Sequence, residues 1–243
     1  ISQCLSAVLT MILLIRSKAE YRVILKDIKM KKDMLISIIR IGLPSGIQNA
    51  IVSFSNVIVQ KNINSFGASA MAGCGSYTKI DGFAILPVMS FSMAMTTFVG
   101  QNMGAKKYDR VKQGAKTGMI MSCSVTAAIA LILFLFAPNI LRIFSEDEKV
   151  LYYGILMMRT VVPGYLFLAI SHALRGVIRG AGLTTVPMIV MVCCWCFLRM
   201  AWILSMMPIF HDIRVVFWGY TLTWLASCIC MYVYYKKAHW LYR

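Results

Sequence analysis

VGQNMGAKKYDRVKQGAKTG, residues 99–118, separates two long apolar segments and sets the orientation of the whole chain. The flanking segments, 70–99 and 117–137, are each long enough to cross a bilayer, since a helix needs about 20 predominantly apolar residues to do so. The stretch between them is therefore predicted to form an extramembrane turn. One acid, Asp109, is set against five basic residues: Lys106, Lys107, Arg110, Lys112 and Lys116. Such an excess of positive charge near the ends of spans is typical of the cytoplasmic side.

The composition predicts an integral membrane protein. Hydrophobic residues make up 59% of the 243 positions and charged residues 14%, so a soluble globule would expose too much apolar surface. The net charge of +16 would suit a nucleic-acid binder only if the basic residues formed one face of a soluble fold. Most of them instead lie in short segments between apolar runs. We therefore expect the lipid bilayer as a partner, and no nucleic acid.

The alternation of apolar and basic segments predicts an all-α, polytopic membrane protein in three parts. Residues 1–15 are expected to end a preceding transmembrane helix, 16–37 to form a cytoplasmic basic linker, and 38–243 to form a six-helix transmembrane lobe. Within the linker, Tyr21, Ile24, Leu25 and Ile28 have the spacing of one helical face, which fits either a helix on the membrane surface or a flexible linker. Because every predicted inner segment is basic, the C terminus is placed on the cytoplasmic side of the plasma membrane.

The first span of this lobe is unusually polar. Its hydroxyl and amide side chains recur every three or four positions and so form one stripe on a helix. The stripe consists of Ser45, Asn49, Ser53, Asn56 and Gln60. Polar groups within a span face neighbouring helices or a water-filled cavity. The stripe is therefore expected either to line a cavity or to form hydrogen bonds between helices.

Lys79 and Asp81 lie well inside the next apolar run. A charged side chain at the centre of a span costs about 2.5–3.5 kcal/mol on translocon scales, so it requires compensation. Positions i and i+2 do not share a helix face, which predicts that the two side chains have partners on other helices. A structural network and a role in handling ions or substrate both remain open.

The residue pattern offers no metal centre and no catalytic set. The eight cysteines lie in or at the edges of apolar runs, where cysteine behaves as a small hydrophobe. His172, His211 and His239 are scattered and have no motif around them. We therefore expect no metal and no cofactor, and the pattern favours a transporter over an enzyme or a structural subunit.

Several motifs, in this order, resemble the second half of a multidrug and toxic compound extrusion (MATE) transporter. They are IGLPSGIQNAIVSFSNVIVQKNINSFG at 41–67, VGQNMGAKKYDRVKQG at 99–114 and LRGVIRGAGLTTVP at 174–187. Such proteins have twelve helices in two six-helix lobes around a central cavity. The resemblance implies that this chain supplies the end of helix 6 and helices 7 to 12, and that the N-terminal half of the same transporter is its partner. Two possibilities fit this placement: the chain is a fragment of a longer transporter, or it is a half-transporter that works as a dimer.

The resemblance implies antiport of organic cations, drugs or metabolites out of the cell by alternating access, coupled to a proton or sodium ion. With that mechanism, the polar span makes Gln48, Asn49, Ser53 and Asn56 the candidate cargo contacts, and the embedded charges make Lys79 and Asp81 the candidates for ion coupling or a buried charge. An alternative is a lipid-linked oligosaccharide flippase of the same superfamily, for which Lys79, Arg159 and Arg199 would supply cations.

The sequence departs from some relatives in its membrane-embedded acids. Those proteins carry acids on helices 7 and 10, whereas the corresponding segments 49–56 and 150–174 have none here. Asp81 is therefore the candidate coupling acid in this lobe, and the partner half is the other place where coupling could reside.

Overall fold

A computed structural model describes residues 2–17, 22–24 and 31–238, and every regular element within these ranges is a helix. The helices are α1 Ser2–Arg16, α2 Lys32–Asn64, α3 Ala68–Gly104, α4 Tyr108–Leu135, α5 Ala137–Arg142, α6 Glu148–Val161, α7 Tyr165–Gly180, α8 Thr185–Val192, α9 Arg199–Phe210 and α10 Ile213–Lys237. The prediction of an all-α fold is confirmed.

Among the described residues, five continuous helical segments are long and apolar enough to cross a membrane. They are α3, α4, the α6–α7 segment Glu148–Gly180, the α8–α9 segment Thr185–Phe210, and α10. The sixth predicted span corresponds to α2, a helix of 33 residues, Lys32–Asn64.

The N-terminal part of the chain differs in detail from the predicted division. The chain consists of two compact units, 1–43 and 44–243. Helix α2 begins at Lys32, inside the segment predicted to be a linker. In the segment expected to form either a surface helix or a flexible linker, residues 22–24 are not helical, and Tyr21, Leu25 and Ile28 lie outside the described residues.

The central basic stretch is mostly helical. Helix α3 continues to Gly104 and α4 begins at Tyr108, which leaves a turn of three residues in which Lys106 has a left-handed φ of 56°. At a rise of 1.5 Å per residue, the 37 residues of α3 extend about 55 Å, well beyond the roughly 30 Å hydrocarbon core. The motif segment 174–187 is likewise helical as far as Gly180. Both α3 and α7 therefore extend past the ends of the apolar runs from which the spans were predicted.

The centre of the 44–243 unit is α3, which packs against α4, α6 and α7, while α10 packs against α6, α7 and α9. Small residues allow the closest approaches, as they do between membrane helices generally. A Cβ on Gly73 would lie 2.9 Å from the backbone nitrogen of Gly154, and a Cβ on Gly176 would lie 3.1 Å from the carbonyl carbon of Ser92. Glycine at these positions therefore sets the distance from α3 to both α6 and α7.

Two of the long helical segments contain a break in the regular α-helix. A 3₁₀ turn at Val162–Gly164 joins α6 to α7, and a π-helical turn at Cys193–Leu198 joins α8 to α9. Such turns inside helices often occur at functional sites. Here the first break directly precedes Tyr165 and the second directly precedes Arg199, two side chains of the candidate site.

Candidate functional site

A polar cavity of about 210 Å³ lies among α2, α3, α6 and α10. Its lining residues are Asn56, Gln60, Tyr77, Thr78, Asp81, Met157, Val161, Tyr220 and Trp224. A larger cavity of about 320 Å³ lies between α3 and α4, but its lining is almost wholly apolar and includes no charged residue. The smaller cavity therefore has the groups needed to bind an ion or a polar ligand.

The carboxylate of Asp81 accepts hydrogen bonds from two tyrosine hydroxyls. The Tyr77 hydroxyl donates to Oδ1 of Asp81 at 3.1 Å, and the Tyr165 hydroxyl donates to the same oxygen. The two hydroxyl oxygens are also 3.1 Å apart. Among the described residues, both hydrogen bonds to the carboxylate use Oδ1, so Oδ2 remains for a bound ion or ligand.

Local helix geometry positions the two tyrosines. Tyr77 is one turn before Asp81 on α3, and residues four apart are neighbours on a helix surface. Tyr165 is the first residue of α7 and is fully buried, with its ring centroid 5.9 Å from that of Trp224. The packing of α7 on α3 and α10 therefore places the Tyr165 hydroxyl next to the Asp81 carboxylate. There the hydroxyl replaces part of the hydration that the carboxylate loses between the helices.

A buried cation lies beside the cavity. Arg199 has only 2% of its surface exposed. Its two terminal nitrogens donate to Oδ1 of Asn56 at 3.1 Å and to Oγ1 of Thr223 at 3.3 Å. Its guanidinium carbon lies 4.5 Å from the centroid of the Tyr220 ring, at the distance of a cation–π contact. The arginine therefore contacts two residues of the cavity lining, Asn56 and Tyr220.

Lys79 lies away from this cavity. Its side chain is exposed, and its Nζ lies 5.8 Å from the centroid of the Phe144 ring. No salt bridge joins Lys79 to Asp81 in the described part of the chain. The two charges face different surroundings, as their i, i+2 spacing predicts.

The four predicted cargo residues occupy different environments on α2. Asn49, Ser53 and Asn56 are exposed, and of these Asn56 lines the cavity, whereas Gln48 is only 8% exposed. The side chain of Ser45, also part of the predicted stripe, lies outside the described residues. The cavity thus brings together Asn56 and Asp81 from the predicted set.

Sequence reasoning did not assign Tyr77, Tyr165 or Arg199 to the site. The spacing of Tyr77 from Asp81 is a signal that could have found the first of them. Arg199 was named only as one of three cations for the flippase alternative, and nothing in the pattern indicated that its partner is Asn56, 143 positions away.

The long apolar helices, with a polar cavity containing a carboxylate among the helices, are those of a polytopic membrane protein. Residues 44–203 match the MatE family profile. The chain therefore belongs to the MatE family, which confirms the resemblance drawn from its motifs.

The chain is similar to curated transport proteins. It is 25% identical over 211 residues to the probable multidrug resistance protein YoeA of Bacillus subtilis, with 86% of this chain and 45% of that protein covered. It is 29% identical over 153 residues to the probable multidrug resistance protein NorM of Thermotoga maritima, with 63% of this chain and 33% of that protein covered. The chain thus spans less than half the length of these two relatives.

The fold also matches a solved structure. A MOP superfamily transporter from Pyrococcus furiosus superposes with a TM-score of 0.85 at 16% identity, over 97% of this chain and 53% of that one. At this identity the match establishes the fold alone. The relatives named as multidrug resistance proteins do not favour the flippase alternative.

Proposed function

We propose that this chain forms one lobe of a cation-coupled exporter that moves small organic cations, drugs or metabolites out of the cell. The observation that carries the proposal is the Asp81 carboxylate, which lies at the wall of a polar cavity among membrane-spanning helices. The free-energy cost of placing this carboxylate within the membrane favours a functional role, because charged residues in spans generally mark paths for ions or substrate.

Asp81 is proposed as the site where the coupling ion and the cargo compete. A carboxylate binds a proton or a sodium ion, and it also attracts an organic cation. When the ion occupies Oδ2, the negative charge that attracts the cargo is neutralised. Ion binding on one side of the membrane then releases cargo on that side, which is the exchange that antiport requires.

The chain is proposed to work with a second six-helix lobe. The relatives it matches are about twice its length or more, which supports a partner lobe. Two such lobes around a shared cavity would alternate access by rocking against each other. Each bound ligand shifts that equilibrium only by its difference in affinity for the two states. We place the transporter in the plasma membrane with the C terminus cytoplasmic.

The test is transport by the complete protein in proteoliposomes. Uptake of a fluorescent organic cation is measured under an imposed pH gradient and, separately, under a sodium gradient, which identifies the coupling ion. Asp81→Asn should reduce gradient-driven uptake at least about tenfold, while Asp109→Asn, an exposed acid at the start of α4, should leave it unchanged. Normal uptake by well-folded Asp81→Asn protein would overturn the proposal.

A further inference from the structure

Arg199 fixes the orientation of an amide in the cavity wall. Its guanidinium nitrogen NH1 lies 3.1 Å from the Oδ1 atom of Asn56. A guanidinium group carries only hydrogen-bond donors, so the amide must present its oxygen, and not its NH₂ group, to the arginine. The opposite orientation would place donors against donors.

The arginine itself is held in place from several directions. Its second terminal nitrogen donates to Thr223, whose hydroxyl in turn donates to the carbonyl oxygen of Tyr220 at 2.9 Å. The rings of Tyr220 and Trp195 lie 4.5 Å and 5.9 Å from the guanidinium carbon. With 2% of its surface exposed, Arg199 has little freedom to turn away from Asn56.

The consequence is a donor group facing the cavity. Asn56 lines the cavity, and its oxygen is engaged by Arg199. The Nδ2 group, with two donor hydrogens, is the part of the amide that remains for a ligand. The same cavity is lined by Asp81, an acceptor with negative charge. The cavity therefore combines a negatively charged acceptor, Asp81, with a neutral hydrogen-bond donor, Asn56.

We infer that Asn56 donates a hydrogen bond to the cargo, and that the cavity selects organic cations carrying an acceptor oxygen, such as a carbonyl, near the cationic group. This inference rests on the proposed function. The cationic part of the ligand binds at Asp81 and the acceptor oxygen at Asn56. At about 210 Å³ the cavity is smaller than the roughly 300–1,000 Å³ pockets that enclose drug-sized ligands, so it accepts a group of about one ring.

The experiment compares two pyridinium probes that differ in one acceptor. These are 1-methyl-3-acetylpyridinium, which carries a carbonyl oxygen, and 1-methyl-3-ethylpyridinium, which has the same charge and nearly the same size. Binding to the complete protein, purified in detergent, is followed by calorimetry. We expect the acetyl probe to bind about fivefold to tenfold more tightly, the ratio that one added hydrogen bond supplies.

Three variants separate the donor from other effects. Asn56→Asp keeps an oxygen for Arg199 but replaces the NH₂ donor with an acceptor, so the preference for the acetyl probe should disappear or reverse. Asn56→Leu, which lacks both groups, should bind the two probes equally. Asn62→Asp is the matched control, because Asn62 lies on the same helix, does not line the cavity and donates to the carbonyl of Ile58. This control should keep the preference.

The possible outcomes distinguish the two proposals. Loss of the preference in both Asn56 variants, with its retention in Asn62→Asp, supports the inference. Equal binding of the probes to the unmodified complete protein, with binding lost in Asp81→Asn, overturns the donor role of Asn56 and leaves the proposed function intact. A preference that survives in Asn56→Asp or in Asn56→Leu also overturns it. Failure of both probes to bind overturns the inference together with the cation site at Asp81.

Discussion

The hydroxyl of Tyr165 donates a hydrogen bond to Oδ1 of Asp81, and thereby joins the first turn of α7 to the middle of α3 across 84 positions of sequence. Tyr77 supplies a second donor to the same oxygen from α3 itself. The carboxylate is thus held by one local and one distant hydroxyl. The distant one makes the geometry of the site depend on the contact between two helices.

Replacing Tyr165 with phenylalanine should therefore weaken the lobe. The change removes one donor from a half-buried carboxylate and keeps the ring, and a hydrogen bond to a charged group contributes about 1.5–3 kcal/mol. We expect a lowered thermal unfolding temperature in detergent. Tyr152→Phe, at an exposed ring on α6, is the control and should change little. Equal stability of the two variants would show that Tyr165 contributes through its ring alone.

The contact between α3 and α7 should be sensitive to a single methyl group. A Cβ on Gly176 would lie 3.1 Å and 3.2 Å from the carbonyl carbon and Cα of Ser92, which are backbone atoms and cannot turn away. Gly176→Ala should therefore destabilise the protein by about 1–3 kcal/mol, as overpacking does.

Gly75→Ala is the matched control for this change. Gly75 lies on α3 with open space around the position of a Cβ, so alanine there should stabilise the helix by up to about 1 kcal/mol. Thermal unfolding of both variants gives the comparison. Shifts of the same sign in the two would contradict the close approach of α7 to α3.

Helices were predictable from sequence where a long apolar run carried the signal. Their ends were not. Helix α3 continues beyond its apolar run and ends only at the turn Ala105–Lys107, and α4 begins directly after that turn, before its own apolar run starts. Hydropathy reports the length of the membrane core, whereas a helix ends where its backbone turns. The left-handed φ of Lys106 marks that point, and lysine at this position carries no pattern that predicts it.

The site was predictable only in part, for a related reason. The depth of Asp81 in an apolar run and the periodicity of α2 are local signals, and both were visible. The pairing of Arg199 with Asn56 depends on how two helices are rotated against each other, over 143 positions. A single sequence does not encode that rotation in any short-range spacing.

Arg199→Lys should be destabilising although it keeps the charge. A lysine ammonium is a single point of charge and cannot bridge Asn56 and Thr223 as the forked guanidinium does. The loss of one buried hydrogen bond costs about 1–3 kcal/mol. Chemical or thermal unfolding measures it, with Arg159→Lys at an exposed position of α6 as the control. If both substitutions lowered the free energy of unfolding equally, the hydrogen bonds from Arg199 to Asn56 and Thr223 would contribute nothing to stability.

The start of α6 depends on one capping residue. Oδ1 of Asp147 accepts hydrogen bonds from the backbone nitrogens of Lys149 at 2.8 Å and Val150 at 3.4 Å. Asp147→Ala should therefore cost about 1 kcal/mol, the usual effect of removing an N-cap. Glu146→Ala removes the same charge from the same loop without removing the cap. Thermal unfolding should separate the two variants, and equal losses would mean that charge alone matters.

The orientation of the chain can be tested at the two ends of α4. This helix has 28 residues and extends about 42 Å, so it crosses the roughly 30 Å core and its ends lie on opposite sides. The turn before it is basic, whereas the loop after α5 contains Glu146 and Asp147 and leads into Glu148 at the start of α6. Basic turns remain in the cytoplasm. In intact cells, a membrane-impermeant maleimide should label Glu146→Cys and should label Lys107→Cys only after permeabilisation. Labelling of the unmodified protein gives the background from its own cysteines. The reverse labelling pattern would show the opposite topology, with the C terminus outside the cell.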